Sequence, residues 1–543
     1  MRSATDGRAV AKPDGAEAGG ARRRLLLRGT MITTAAVGLG AVLGLTRDLL
    51  IAGYYGANGE TDAFLVAWTL PETAVPLLID GAMTLLMVPI FCRALELRAQ
   101  QTIRTDTPAA DPVRAAVAAT LPALLAALVC VSALVAATAP WLVSALAPGL
   151  ADAALGVAAM RTIAVSVVFV GVAGYLVAAL RSHLVYGPPA MITVAMNVGI
   201  IGVMVTWHRQ LGVLAAVVGA VIGAVLMVAV QAPAFLRRVG LPRRPSWGAG
   251  IAMSAFLPIA AYILARQSQV FVERFAASWL APGTITHLNY VQKIAQVPAT
   301  LALTVAVVTF PQLARNVVAG KTREAHRRTA VDVQIIGAIV LAATAYLVAF
   351  APQVVQLLLQ HGAFTAQDTA ATATVLRIYV WGLLGQALLD IVCRSLFSER
   401  ATIVPAVAMV LGVLVTAVVA AFGAPVWGAA AIAAANALGI TVTAILVVCS
   451  RRSAIVPVRA VFLTVARLLP ATGVAAIFAL WLDARLSGLP AAVSVTLGGL
   501  AVALVFGIIA ISFGGLPMPR RLTPASRFLK KRATRRVGAD RDA

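Results

Sequence analysis

Between Gly44 and Phe91 the chain sets four ionisable side chains, Arg47, Asp48, Asp62 and Asp80, into two otherwise apolar runs. An ion near the centre of a bilayer costs about 2.5–3.5 kcal/mol even on the scale derived from membrane insertion. Such groups persist where they pair, face other helices or line a wet cavity. The planar guanidinium of Arg47 is suited to gripping a phosphate or carboxylate through two parallel N–H donors. Asp62 opens the second run, just after Gly56-Ala57-Asn58-Gly59, where an acid would tune or release such a cation. An Arg47–Asp62 or Arg47–Asp48 pair that pins the hairpin accounts for the same residues, and the two readings are compatible. Asp80 precedes Gly81 and Ala82, small residues that permit close helix approach, and a helix-to-helix hydrogen bond is its competing explanation.

A second polar set, Arg266, Gln267, Gln269, Glu273 and Arg274, interrupts a later apolar run. Arg266 and Glu273 are seven residues apart and share a helix face, while Arg274 is turned away by one residue. At least one of these ions is expected to pair between helices. Lys293, five residues before Pro298, is one of only five lysines and has no acid beside it in sequence, which marks it as a cavity cation. Asp390 and Arg394 stand one turn apart, and a local ion pair explains them. The candidate ligand-binding residues are therefore Arg47, Asp62, Asp80, Arg274 and Lys293.

The elements that must position them are membrane helices. The chain has 543 residues, of which 60% are hydrophobic and only 12% charged; its mean hydropathy is +0.91. Soluble domains are about one quarter charged, so the fold class is an all-α polytopic membrane protein. The net charge of +23 does not indicate nucleic acid as a partner, because the basic residues cluster between apolar runs and in the two tails. Arg22, Arg23, Arg24 and Arg28 at the head, and Arg520, Arg521 and Lys530 to Arg536 at the tail, suit the anionic face of a lipid bilayer. Cys92, Cys130, Cys393 and Cys449 show no metal-site or disulfide spacing, and the five histidines are scattered, so no metal and no cofactor is expected. The first apolar run, without a cleavage site before Arg47, reads as a retained span.

A span needs about 20 mainly apolar residues. Fourteen segments qualify: 29–55, 61–91, 115–147, 154–180, 187–207, 211–235, 250–278, 284–313, 331–358, 367–393, 402–422, 426–449, 460–482 and 488–513. Pro71, Pro76 and Pro298 inside them predict local breaks. Alternate connections are rich in Arg, as in Arg93/Arg98/Arg104, Arg237/Arg238/Arg243/Arg244 and Arg315/Lys321/Arg323; the opposite set contains only Arg209 and Arg485. The positive-inside rule then places both termini in the cytoplasm.

Pro76 and Pro89 find counterparts in Pro298 and Pro311, Ala139-Pro140 in Ala351-Pro352, Arg181-Ser182 in Arg394-Ser395, and Pro189 with Gly212 in Pro405 with Gly428. Six spans separate the copies, so orientation is preserved and two parallel six-helix lobes are predicted, with two C-terminal helices outside the repeat. The expected organisation is a basic cytoplasmic tail 1–28, an N-lobe 29–236, a C-lobe 237–450, a helix pair 451–514 and a basic cytoplasmic tail 515–543.

At these residues the chain resembles the MviN/MurJ-type lipid II flippases of the multidrug/oligosaccharidyl-lipid/polysaccharide exporter superfamily. The likeness is carried by Gly44-Leu45-Thr46-Arg47-Asp48, Tyr55-Gly56-Ala57, Thr61-Asp62-Ala63-Phe64, Leu70-Pro71 and Val88-Pro89. It continues through Leu288-Asn289-Tyr290, Lys293, Pro298, Phe310-Pro311-Gln312-Leu313 and His361-Gly362-Ala363-Phe364-Thr365. The resemblance implies a transporter, not an enzyme, of the bacterial plasma membrane. It would move an undecaprenyl-pyrophosphate-linked glycan, the peptidoglycan precursor lipid II, from the inner to the outer leaflet by alternating access, with cell-wall synthesis proteins as partners. Arg47 and Asp62 match the family's cavity residues, and Lys293 stands where the family usually has Arg. The chain departs from the pattern at Ala41 and Val75, where the family often has Arg, and at Asp80, where it has Glu. A flippase for another polyprenyl-linked glycan is the first alternative. A drug/cation antiporter suits a more acidic cavity, and a polytopic glycosyltransferase needs larger outer loops than residues 56–60 supply. The chain has no Walker A motif, so direct use of ATP is not expected.

Overall fold

The computed structural model describes residues 15–104, 111–241, 253–318, 322–398, 403–450 and 458–516. The C-terminal basic cluster and several basic connections, including Arg243, Arg244, Lys321, Arg400, Arg451 and Arg452, lie outside them. The described residues are helical, and no strand occurs among them. Mutual packing divides the chain into two compact units, Met1–Ile51 with Ala63–Val143 and Asp152–Leu264, and Ala52–Asp62 with Ser144–Ala151 and Ala265–Ala543.

The first half of the chain folds as α1 (Gly15–Tyr55), α2 (Gly59–Ala74), a π-helical segment (Val75–Met87) and α3 (Val88–Arg104), then α4 (Pro112–Leu146) and α5 (Ala153–Ser182). The short α6 (Gly187–Ala190), α7 (Ile192–Leu211) and α8 (Leu214–Arg238) complete it. The break expected near Pro71 and Pro76 is this π segment of 13 residues, with Pro76 in its first turn. The Thr84 hydroxyl donates to the Ile79 carbonyl five residues back, at 2.9 Å, matching the wider turn. The core of the first unit gathers around the fully buried Tyr175, whose ring meets Phe91 edge-on at 5.4 Å. Its hydroxyl shares a 2.9 Å hydrogen bond with Thr120, so the polar tip is satisfied inside the apolar packing.

The second half contains α9 (Met253–Ser278), α10 (Thr284–Val318), α11 (Thr322–Leu359), α12 (Ala366–Tyr379), a 3-10 turn (Val380–Gly382) and α13 (Leu383–Ser398). It ends with α14 (Ile403–Trp427), α15 (Ala429–Val448), α16 (Val458–Leu486) and α17 (Ala491–Ser512). α11 is the hub of the second unit, packing against α10, α12, α13, α16 and α17. It bends at Phe350 (φ −88°, ψ 15°), two residues before Pro352.

Twelve described helical stretches are long and apolar enough to cross a membrane. The remaining two expected spans are α9 and α10, helices of 26 and 35 residues that include the polar set around Arg274 and Lys293. About fourteen membrane helices are therefore present.

The α7–α8 and α14–α15 hairpins turn alike. Gly212 adopts φ 55°, ψ −141° and Gly428 φ 59°, ψ −140°, a region that side chains exclude. Beyond each turn the helices cross glycine on glycine. A Cβ on Gly199 would overlap the backbone of Gly223, and one on Gly412 would overlap the Gly439 carbonyl and the Thr443 side chain. Such small-residue crossings bring membrane helices within backbone distance.

Candidate substrate-binding site

Arg47 lies on α1 with its side chain 12% exposed. Its Nε and one terminal nitrogen donate to Asp48 Oδ1 at 2.9 and 2.7 Å, and the other terminal nitrogen reaches Asn197 Oδ1 of α7 at 3.4 Å. Asn197 is itself fixed, because its amide donates to the Gly40 carbonyl at 3.2 Å and the Thr193 carbonyl at 3.0 Å. The guanidinium carbon stands 4.8 Å from the centre of the Trp68 ring of α2. A desolvated cation on such a face is stabilised by about 2 kcal/mol. Three of the five N–H donors of a guanidinium are engaged here, so two remain for an anion. Of the two pairings open to Arg47 in the sequence, the structure forms the one with Asp48. Asn197 and Trp68 escaped sequence reading, and the lone asparagine in the run Ile192–Val203 was the available signal.

Asp62 does different work. Its carboxylate, 4% exposed, sits across the start of α10. Oδ2 accepts from the Gly283 amide at 2.7 Å, and Oδ1 accepts from the Thr286 amide at 2.8 Å and the Thr286 hydroxyl at 2.6 Å. These amides are among the donors that a helix start leaves without intrahelical partners, and the helix dipole favours an anion there. The surrounding turns close tightly. Gly283 (φ 94°) leaves no room for a Cβ against the Ala57 carbonyl, and the Ala363 amide donates to the Gly53 carbonyl at 2.8 Å. The His361–Thr365 motif is thereby seated on the end of α1. His287 joins the same cluster through Thr372 at 2.8 Å and Asp368 at 3.8 Å.

On α9, Arg266 reaches Asp390 of α13 at 3.5 Å, so this acid pairs between helices. The side chain of Arg394 lies outside the described residues. Glu273 and Arg274 are both buried, 5% and 4% exposed, beside Asn289 and Gln292 of α10 around a small crevice. Lys293 follows Gln292 on α10 and is half-buried. Asp80 falls within the π segment, and its side chain lies outside the described residues. Among the described residues no cluster of His, Cys, Asp or Glu is placed to hold a metal ion. A larger crevice of about 750 Å³ lies between Leu146, Phe271, Phe275, Trp279, Ala420 and Ala424. No charged residue lines it, so it offers nothing to a phosphorylated headgroup.

A family model described as "Lipid II flippase MurJ" matches residues 51–500. The lipid II flippase MurJ of Burkholderia cenocepacia is 27% identical over 392 residues, covering 69% of this chain and 74% of that protein. The probable lipid II flippase MurJ of Rhizobium meliloti is 27% identical over 426 residues, covering 75% and 76%. Among solved structures, a lipid II flippase MurJ in an inward closed conformation superposes with a TM-score of 0.72 at 17% identity, over 89% of this chain and 99% of that one. An inward-facing multidrug resistance transporter of the MATE family gives 0.62 at 13% identity, over 76% and 95%. At these identities the structural likeness concerns the fold, which flippases and drug transporters share. The family model separates the two, for it spans most of the chain, and this multi-pass membrane transporter, not an enzyme, belongs to the lipid II flippase MurJ family.

Proposed function

We propose that the chain carries the pyrophosphate–sugar–peptide headgroup of lipid II from the inner to the outer leaflet, with Arg47 as its first phosphate contact. The observation that carries this reading is the state of Arg47: a largely buried cation in a membrane helix, oriented from three sides, with two N–H donors still available. Asp48 holds the charge while the site is empty, and a pyrophosphate displaces part of that pairing by counter-ion exchange. Lys293 and Arg274 supply further positive charge to the headgroup, and Asp80 adjusts the cavity's polarity. Asp62 acts by fixing the start of α10 more than by touching cargo. The prenyl tail stays in the bilayer while the headgroup crosses about 30 Å of hydrocarbon. Rocking of the lobes 29–236 and 237–450 about a midplane site provides alternating access. Both termini face the cytoplasm of a bacterial cell, and cell-wall synthesis proteins take the delivered precursor.

The test is complementation. In a bacterium depleted of its own lipid II flippase, expression of the chain is expected to restore outer-leaflet precursor, measured by its accessibility to a toxin that cleaves it. Arg47→Ala is expected to lower that signal by about a hundredfold and Arg47→Lys by about tenfold, since Lys keeps the charge but loses the fork. Wild-type chain that reaches the membrane yet leaves the precursor inside would overturn the reading. Normal transport by Arg47→Ala would remove Arg47 from it.

A further inference from the structure

The bend in α11 lies outside every group assigned above, and it is held by a side chain from another helix. Pro352 has no amide hydrogen, so the Val348 carbonyl four residues earlier loses its helical donor. The guanidinium of Arg377, on α12, fills that vacancy: Nε donates to the Val348 carbonyl at 3.1 Å and a terminal nitrogen to the Ala349 carbonyl at 3.5 Å. The C-terminal helix pair closes on the same place. Gln353 of α11 donates to Asp483 of α16, an acid near enough to Arg377 to interact with its charge. Tyr346 donates to the Val495 carbonyl of α17 at 3.1 Å, and the buried Phe350 ring occupies the space that a side chain at Gly498 would need. The corresponding proline of the first half, Pro140 in α4, has no such bend beside it.

We infer that Arg377 is a positioning residue for transport: it stabilises the bend of α11 and, with Gln353 and Asp483, couples that bend to α16 and α17. This gives the helix pair outside the repeat a mechanical task. A kink formed by a proline and braced from outside is an element with two arrangements, bent and straight, of the kind that hinges use. The inference rests on the transport reading only for its consequence; the bend itself is measured separately.

Spin labels at Arg323 and Gln356, both exposed and at opposite ends of α11, report the bend as a distance. Purified wild type, Arg377→Met, Asp483→Asn and the double variant Pro352→Ala/Arg377→Met are compared in three readouts: this distance, thermal unfolding, and lipid II movement in proteoliposomes. Arg377→Met is expected to broaden the distance distribution and slow transport about tenfold, with Asp483→Asn showing a smaller change of the same kind. The double variant regains the missing amide donor. It is expected to recover the wild-type unfolding temperature, to show a longer, narrower distance, and to remain about tenfold slow. Recovery of transport together with stability would reduce Arg377 to a structural substitute for the absent amide and overturn the inference. A wild-type distance distribution in Arg377→Met would overturn it equally. If wild type itself moves no lipid II, the transport reading fails while the distances still decide whether Arg377 sets the bend.

Discussion

Arg47 and Asp62 show how two neighbouring ions in one hairpin come to different tasks. The first is oriented by an aspartate, an asparagine and an indole, and keeps donors available; the second has both oxygens engaged by the start of a helix. Asp62→Asn therefore changes stability before it changes recognition. One oxygen becomes an amide donor facing donors, and a buried N–H is left without an acceptor at a cost of about 1–3 kcal/mol. Thermal unfolding in detergent is expected to shift down accordingly, and an unchanged midpoint would refute the capping role. The Arg47 cation was legible from sequence because an ion in an apolar run is conspicuous. The partners of Asp62 were not, because two backbone amides and one threonine hydroxyl more than 220 residues away make them, and neither backbone donors nor a lone threonine stand out in side-chain chemistry.

Helices were easier to read than their irregularities. Runs of about twenty mainly apolar residues located the spans, α9 and α10 among them, and the alternation of basic and non-basic connections agreed with their order. Pro71 and Pro76 announced a break, but whether the chain would kink or widen into a π segment depends on packing around residues 75–87, which no local pattern specifies. The matching hairpin turns were visible through the Gly212 and Gly428 correspondence; the contact of Gly412 with Gly439 was not, since it depends on how two helices are rotated. Gly412→Val is expected to force α14 and α15 apart and to cost about 1–3 kcal/mol by overpacking. Gly473→Val on α16, where a Cβ meets nothing within 4 Å, is the control. Equal unfolding temperatures for the two variants would show that the crossing tolerates a side chain.

At the scale of the molecule, the alternating access proposed above is expected to part the cluster of turns around Asp62 as the headgroup leaves. Within this cluster a Cβ at Gly59 would stand 3.7 Å from that of Pro282, inside the range a disulfide spans. In a background without the native cysteines, Gly59→Cys/Pro282→Cys is expected to move lipid II normally when reduced and about tenfold more slowly when oxidised, with reductant restoring the rate. Undiminished transport by fully cross-linked protein would mean that the cargo leaves without parting these turns. The membrane class and span order were legible because bilayer solvation acts on every residue of a span. The closure was not, because it is made from backbone contacts at glycines.

The matched turns at Gly212 and Gly428 carry a consequence for descent. Their dihedral angles agree to within a few degrees, while the side chains around them differ at most positions. Mutation can exchange one apolar neighbour for another with little penalty, but any side chain at these two sites meets a backbone region reserved for glycine. A common origin for the two halves is therefore expected to be legible in the angle at which these hairpins reverse before it is legible in the residues around it. What the two turns share is a conformation, held by glycine at both sites while their neighbours differ.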